Sequence, residues 1–241
     1  MEWNAPGVVL AARPYGEGDA LATVLAEAQG AHRGLVRGGL SRGNANLWQP
    51  GNVVQVRWTA RLSDQLGSFT AELVHPGAAL AMDDALALAI LSSACAVAEA
   101  ALPEREAHPR VFAGLLRLIM RLSQGEAALA DLVRWEAVLL AELGYGMDLS
   151  ACALTGASNG LAWVSPRSGR AVSAAAAGPW DGRLLPLPGF LVGAGEGDLP
   201  AWRDGLRLTG HFLARDAFGL HDRPVPPSRE RLVDRVERTR P

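Results

Sequence analysis

The segment Val53-Val54-Gln55-Val56-Arg57-Trp58-Thr59-Ala60-Arg61 decides the fold of the first third of the chain. Successive side chains of an extended strand point to opposite faces, so Val54, Val56, Trp58 and Ala60 share one face while Gln55, Arg57, Thr59 and Arg61 share the other. One face is apolar, the other polar and basic, which predicts a strand laid over a core. Working outward, a turn at Asp64 to Gly67 precedes a strand over Ser68 to Val74, which ends at His75-Pro76-Gly77. Upstream, Val8 to Leu10 lies between Pro6-Gly7 and the turn-rich Pro14 to Gly18. Ala20 to Ala28 follows, and after Gly30 a further strand runs from Arg33 to Arg37. Five short strands within about 75 residues suit a small closed barrel of the OB-fold kind.

From Ala79 the pattern becomes helical. The spacing predicts helices over Ala81 to Ala101, from Pro109 to Ser123, over Leu129 to Leu143, over Leu199 to Phe218, and a last short one capped by Ser228 and running through Arg238. The third carries Leu132, Val133, Glu136, Leu139, Leu140 and Leu143 at helical spacing. Residues 152–197, rich in Gly, Ser, Ala and Pro, read as irregular. The expected fold class is therefore α+β, with an OB-fold domain over residues 1–77 and a helical domain over residues 78–241.

The 241 residues are 49% hydrophobic with a formal net charge of -2, enough apolar content for a sizeable core and too much for a disordered chain. All 23 basic residues are Arg, which reads first as a coding bias. The longest uncharged apolar stretch, Ala85 to Ala98, falls short of the roughly 18 residues of a membrane span and is bracketed by Asp83, Asp84 and Glu99. The opening Met1-Glu2-Trp3-Asn4 lacks the basic start and apolar run of a signal peptide. Cys95 and Cys152 form no CxxC pair and no Cys/His cluster of metal-ligand spacing, so a reducing cytoplasm is expected. No GxSxG or HExxH occurs, the five His are scattered, and a chain without Lys has no P-loop lysine. These absences argue against an enzyme.

Charge location says more than net charge. Between Glu27 and Asp64 there is no acidic residue, yet the interval holds Arg33, Arg37, Arg42, Arg57 and Arg61. Such a run sets up a local positive field that attracts phosphates. The loop Gly38 to Asn44 adds small side chains and exposed backbone N–H groups. Trp58 alternates with the apolar set and is assigned to the barrel core. Trp48, beside Pro50-Gly51, is open to two readings, as a core residue or as a stacking platform for an unpaired base. An arginine-bearing strand face is also what an ordinary solvated face looks like, so the residues alone leave a DNA surface and a bland surface both open.

Several segments, read in order, resemble the RecO family of recombination mediators. They are Trp3 with Gly7-Val8-Val9-Leu10, Arg13-Pro14-Tyr15-Gly16-Glu17, Gly30 with Arg37-Gly38-Gly39, and Leu47-Trp48-Gln49-Pro50. Arg134-Trp135-Glu136 through Leu143-Gly144-Tyr145-Gly146 and the closing Pro224 to Arg231 complete the series. The resemblance covers essentially the whole chain. It implies an OB-fold followed by a helical domain, binding of single- and double-stranded DNA, and annealing of complementary strands. It also implies partnership with RecR and with the tail of single-strand-binding protein in a nucleoid-associated, cytoplasmic setting, and no active site or cofactor. Within it, Arg33, Arg37, Arg42, Arg57, Arg61 and Trp48 become the expected DNA contacts. Arg134, with Arg117 and Arg121 as alternates, becomes the expected guanidinium for the partner tail.

Two departures stand out. Many members of that family carry four cysteines in a zinc module. Here Cys152 is followed by Ala153-Leu154-Thr155-Gly156, with Thr155 where a second cysteine would fall, and the later pair is missing near Gly169 to Ala176. A lone thiolate does not hold tetrahedral zinc, so the module is expected to be a metal-free relic. In the basic loop, Gly39-Leu40 stand where more basic residues are usual. The rival expectation is a protein-interaction adaptor whose barrel binds DNA weakly or not at all.

Overall fold

The structure, a computed structural model, describes residues 1–62, 65–124 and 129–239, with the backbone alone for Pro179 and Asp181. Of the turn expected at Asp64 to Gly67, Asp64 lies outside the described residues. Contacts divide the chain into two compact units, Met1–Ala128 and Leu129–Pro241.

The first unit opens with five strands, β1 (Glu2–Tyr15), β2 (Asp19–Ala26), β3 (Gly30–Val36), β4 (Val53–Thr59) and β5 (Ser68–His75). They close into a barrel in the order β1-β2-β3-β5-β4. The OB-fold expectation is met, and the strand quoted first behaves as its alternation requires. Val54, Val56 and Trp58 are buried, while Arg57 is exposed and Gln55 and Thr59 are half-buried. The first strand is much longer than Val8 to Leu10, because it serves two neighbours. Glu2 to Val8 pairs with β4, and Gly7 to Tyr15 pairs with β2 across an irregularity between Val9 and Ala11. A bulge bends a strand and raises its twist, which lets one strand close a barrel. Val9, Val24, Val36, Val54, Val56 and Phe69 fill the interior.

Three helices pack with this barrel in the same unit: α1 (Gly77–Ala81), α2 (Ala85–Ala101) and α3 (Pro109–Ser123). Asp84 caps α2, its carboxylate accepting from the N–H groups of Leu86 at 2.7 Å and Ala87 at 3.2 Å, so the break between α1 and α2 is a capped helix start. The Arg13 guanidinium meets Glu99 of α2 in a bidentate pair at 2.7 and 2.9 Å. At the start of β3, Gly30 has a φ of 67°, and a Cβ there would lie 1.9 Å from the Glu106 carbonyl oxygen. The close approach of residues 104–106 to the barrel, where the Arg105 N–H bonds the Ala31 oxygen at 2.8 Å, thus depends on this glycine.

The second unit holds α4 (Leu129–Glu142), the strands β6 (Leu161–Val164) and β7 (Ala171–Ser173), a short α5 (Ala174–Ala177), β8 (Leu185–Pro186), α6 (Leu199–Phe212) and α7 (Pro227–Arg238). The stretch expected to be irregular contains a three-stranded sheet ordered β7-β6-β8. Strands of four, three and two residues are too short for alternation to register in a sequence window. After α6 the chain continues as a π-helix over Leu213–Phe218, so the long helix read there keeps its length and changes its winding. Ser228 does not cap α7. It lies one residue inside the helix, whose cap position is Pro226, and its hydroxyl oxygen is buried without a partner.

A buried ion pair organises the second unit. Glu136 of α4 is fully buried, and Arg229 of α7 donates to its carboxylate twice, at 2.7 and 2.9 Å. Thr209 of α6 also donates to Glu136, and Arg229 donates to the Leu206 carbonyl at 2.9 Å. Gly210 makes room for this arrangement, since a Cβ there would stand 2.7 Å from a guanidinium nitrogen. Three helices therefore share one buried, hydrogen-bonded charge pair.

Candidate nucleic-acid interface

The segment joining β3 to β4, residues 37–52, is anchored at both ends. At its start the Gly38 N–H bonds the Asp19 carboxylate at 2.7 Å, and the Leu40 N–H bonds the Gly18 carbonyl at 3.1 Å, tying the loop to the β1–β2 turn. At its close the buried Asn52 side chain donates to the carbonyls of Asn46 at 2.7 Å and Leu47 at 3.1 Å, and accepts from the Ala78 N–H at 3.2 Å. Between these anchors, residues 40–46 are exposed. The loop is a fixed platform with Arg42 at its outer part.

The five arginines expected to contact DNA are all exposed, but they differ in charge partners. Arg57 pairs with Glu2 across the β1–β4 ladder at 2.7 Å, and Arg33 lies 4.0 Å from Glu104. The interval that is free of acids in sequence thus receives two carboxylates from outside it. Arg37, Arg42 and Arg61 have no carboxylate partner among the described residues. Register relates their positions: Leu35, Ser68 and Thr59 stand in one row across β3, β5 and β4, Arg37 comes two residues after Leu35, and Arg57 faces Thr70.

Trp48 lies inside the barrel, 3% exposed and stacked on Phe69 with centroids 6.0 Å apart. It offers no face to a base, and of its two readings the core is the one the structure takes. Trp58 is equally buried and donates its indole N–H to the Leu66 carbonyl at 3.0 Å. The apolar side chains that do face outward here were not singled out from sequence. Tyr15, at the end of β1, is 54% exposed, and Leu40, on the loop bonded to the same turn, is 42% exposed. The available signal was an aromatic residue directly before the Gly16-Glu17-Gly18 turn, where no core remains to receive it.

At one end of the barrel interior, His32 is buried between Trp3 and Trp58, with ring centroids 5.2 and 4.7 Å away, and neither ring nitrogen has a hydrogen-bond partner. Burial, followed by the Arg105 guanidinium, pushes its pKa below the ordinary histidine value, against smaller opposing effects of Glu104 and the Gln29 backbone.

The residues expected to take a partner tail fall in different units. Arg134, on α4, is held within its own unit. It bonds Asp131 at 3.1 Å, Glu196 at 2.9 Å and the Gly195 carbonyl at 3.0 Å, and lies over the Phe190 ring at 5.4 Å. Its neighbour Trp135 is buried. Arg117, on α3, is exposed beside the 40% exposed Met120, and Arg121 is half-buried. Cys152 sits beneath the small sheet, its sulfur accepting from the Ser173 N–H at 3.3 Å and hydroxyl at 3.5 Å; the Ser173 hydroxyl leads the hydrogen bonds that lower the thiol pKa to about 6. Among the described residues, no three His, Cys, Asp or Glu side chains converge on a position that would hold a metal ion. No helix among the described residues is long and apolar enough to cross a membrane.

Residues 1–76 match the family described as recombination protein O N terminal, and residues 82–222 match recombination protein O C terminal. The chain belongs to the RecO family. A protein of Granulibacter bethesdensis named DNA repair protein RecO is 62% identical over 239 residues, covering 98% of this chain and 96% of that one. Proteins of the same name from Gluconacetobacter diazotrophicus and Caulobacter vibrioides are 58% identical over 247 residues and 50% identical over 240. These alignments cover 100% and 98% of this chain, and 97% and 98% of the respective relatives. With the family established, the anchored loop, whose exposed Arg37 and Arg42 have no carboxylate partner among the described residues, is this RecO chain's candidate nucleic-acid surface.

Proposed function

We propose that this chain is a non-enzymatic mediator of DNA repair in the cytoplasm, at the nucleoid. It binds single- and double-stranded DNA, anneals complementary strands and, together with RecR, helps load recombinase onto strands coated by single-strand-binding protein. One observation carries the DNA part: the fixed loop between β3 and β4 presents Arg37 and Arg42, with Arg61 on the same barrel, as guanidiniums without carboxylate partners among the described residues. Phosphates neutralised by such groups release condensed counterions, so binding is driven electrostatically. Arg33 and Arg57 contribute after exchanging a carboxylate for a phosphate, and Tyr15 and Leu40 supply apolar surface for unpaired bases. For the tail of single-strand-binding protein, Arg117 with Met120 offers the charge and apolar contact that the chemistry needs, with Arg121 beside them. Arg134 would first have to release Asp131 and Glu196. No cofactor or metal enters this reading.

The test is a fluorescence titration of single-stranded DNA at two salt concentrations with the wild type and with Arg37→Glu/Arg42→Glu. The double variant should bind about tenfold or more weakly at low salt and show a shallower salt dependence, roughly one unit of slope for each lost phosphate contact. Its melting temperature should stay within a degree or two of the wild type. Wild-type affinity that ignores salt, or an unaltered double variant, would overturn the assignment.

A further inference from the structure

Among the described residues Asp19 is the one carboxylate that bonds the segment joining β3 to β4, and it bonds backbone rather than a guanidinium. An acid beside a phosphate-binding surface is out of place on charge alone, since it repels the ligand that the neighbouring arginines attract. Its surroundings give it another task. Asp19 is half-buried at the start of β2, opposite Tyr15 in the β1–β2 ladder. Its carboxylate accepts from the Gly38 N–H at 2.7 Å, and Gly38 has a φ of 62°, which glycine adopts without strain. The Gly38 carbonyl accepts in turn from the Ser41 N–H at 3.0 Å and from the Asn44 side-chain amide at 3.3 Å. Gly39 is buried, and a Cβ there would stand 2.8 Å from the Ala20 Cβ, so the base of the loop already lies against β2. One residue on, the Leu40 N–H meets the Gly18 carbonyl, and the loop and the turn are joined on both sides of Asp19.

We infer that Asp19 is a positioning residue of the proposed DNA surface, an acid whose presence raises affinity for a polyanion. Its carboxylate latches the loop to the β1–β2 turn and so holds Arg37 and Arg42 in fixed relation to Tyr15 and Leu40. The inference rests on the DNA reading given above and adds a sign to it. A hydrogen bond from a backbone N–H to a carboxylate is charge-assisted and about twice as strong as a neutral one, which suits it to fixing a loop. A loop ordered before binding loses less freedom when it binds. The repulsion between Asp19 and a phosphate is weakened by salt, whereas the ordering is retained. The two roles of the same charge therefore oppose each other, and the latch outweighs the repulsion. A merely repulsive Asp19 would behave differently, because any neutral replacement would then tighten binding.

The experiment compares the full-length wild type with Asp19→Ala and Asp19→Asn. Affinity for a labelled single-stranded oligonucleotide is measured by fluorescence anisotropy at two salt concentrations, and loop order by the rate of trypsin cleavage after Arg37 and Arg42 without DNA. Asp19→Ala should bind about threefold or more weakly, the scale of lost preorganisation. Its salt slope should stay near that of the wild type, because the phosphate-contacting arginines remain. Cleavage of its loop should be about fivefold or more faster, as local opening becomes easier. Asp19→Asn keeps an oxygen acceptor and loses the charge, so it should bind as tightly as the wild type or more tightly and be cut at the wild-type rate. The inference is overturned if both variants bind more tightly, which would make Asp19 a repulsive charge only, or if Asp19→Ala equals the wild type in affinity or in cleavage. Should Asp19→Ala fail to fold, Asp19→Glu takes its place, keeping the charge and shifting the acceptor: weaker binding with faster cleavage supports the latch, and unchanged binding overturns it. Wild-type binding that ignores salt is a failure of the DNA reading instead, and the trypsin measurement tells the two apart because it needs no DNA.

Discussion

Two arginine–carboxylate pairs of the same length stand in opposite surroundings. Arg57 and Glu2 meet at 2.7 Å on the outside of the barrel with side chains 55% and 56% exposed, whereas Arg229 and Glu136 meet at 2.7 Å with side chains 5% and 0% exposed. Distance therefore says little about what either does. The outer pair is bathed in water, gains little over its hydrated parts, and can exchange its carboxylate for a phosphate. The inner pair has no water to fall back on, so each partner is the other's solvation, completed by Thr209 and the Leu206 carbonyl. The first unit keeps its charge where it can be traded; the second uses charge to fix three helices.

Breaking the inner pair should give the largest effect. Arg229→Ala leaves a carboxylate buried without its cation and should lower unfolding stability by about 3–5 kcal/mol, measured by urea unfolding. Glu136→Leu combined with Arg229→Met should recover much of that loss, since a well-packed apolar replacement removes the desolvation cost on both sides. If the double replacement is no better than the single one, the pair contributes geometry that apolar packing does not supply.

The comparison also separates what sequence can and cannot reveal. The barrel was legible because strand alternation is a local signal, and Val53 to Arg61 carries it plainly. Glu136 was half-legible: it falls on the same helical stripe as Leu132, Val133, Leu139 and Leu140, and an acid on an apolar face demands a cation. Which cation was beyond reach, because Arg229 lies 93 residues away. The same obstacle hid the partners of the basic interval. Its freedom from acids is a fact of the sequence, but Glu2 and Glu104 arrive by strand pairing and by the approach of residues 104–106 to β3. Trp48 carried no periodic signal in its turn-rich surroundings, so its place in the core emerged only from the closed barrel.

At the outer pair, Arg57→Ala and Glu2→Ala should each shift stability by about 0–1 kcal/mol. Their effects on DNA affinity should have opposite signs. On the proposed DNA surface, losing Arg57 would remove a phosphate contact while losing Glu2 frees a guanidinium, so Glu2→Ala should bind single strands more tightly at low salt. Equal weakening by both would place this pair outside the DNA surface.

The smallest expected effect belongs to His32. Its folded-state pKa is depressed, so in the window between that value and the unfolded value near 6.5 the unfolded chain binds more protons. Stability should consequently be fully present above the unfolded pKa and fall as pH drops through the window. His32→Gln should show a smaller loss between pH 7.5 and 5 than the wild type in urea unfolding, the carboxylates and the other four histidines being common to both. Parallel pH profiles would show that protonating His32 costs the barrel nothing.

The spacing of the buried pair also sets a timetable for the growing chain. At a synthesis rate of about 5–20 residues per second, the 93 positions separating Glu136 from Arg229 correspond to roughly 5–19 s during which α4 exists and its counter-charge does not. Through that interval the acid must remain hydrated, so the face of α4 that will be interior stays wet and its neighbours stay apart. The barrel unit waits for nothing comparable, since everything it packs is made before α4 begins. The nascent molecule is thus a finished barrel half trailing an unsealed one, and the arrival of a single guanidinium closes the seal.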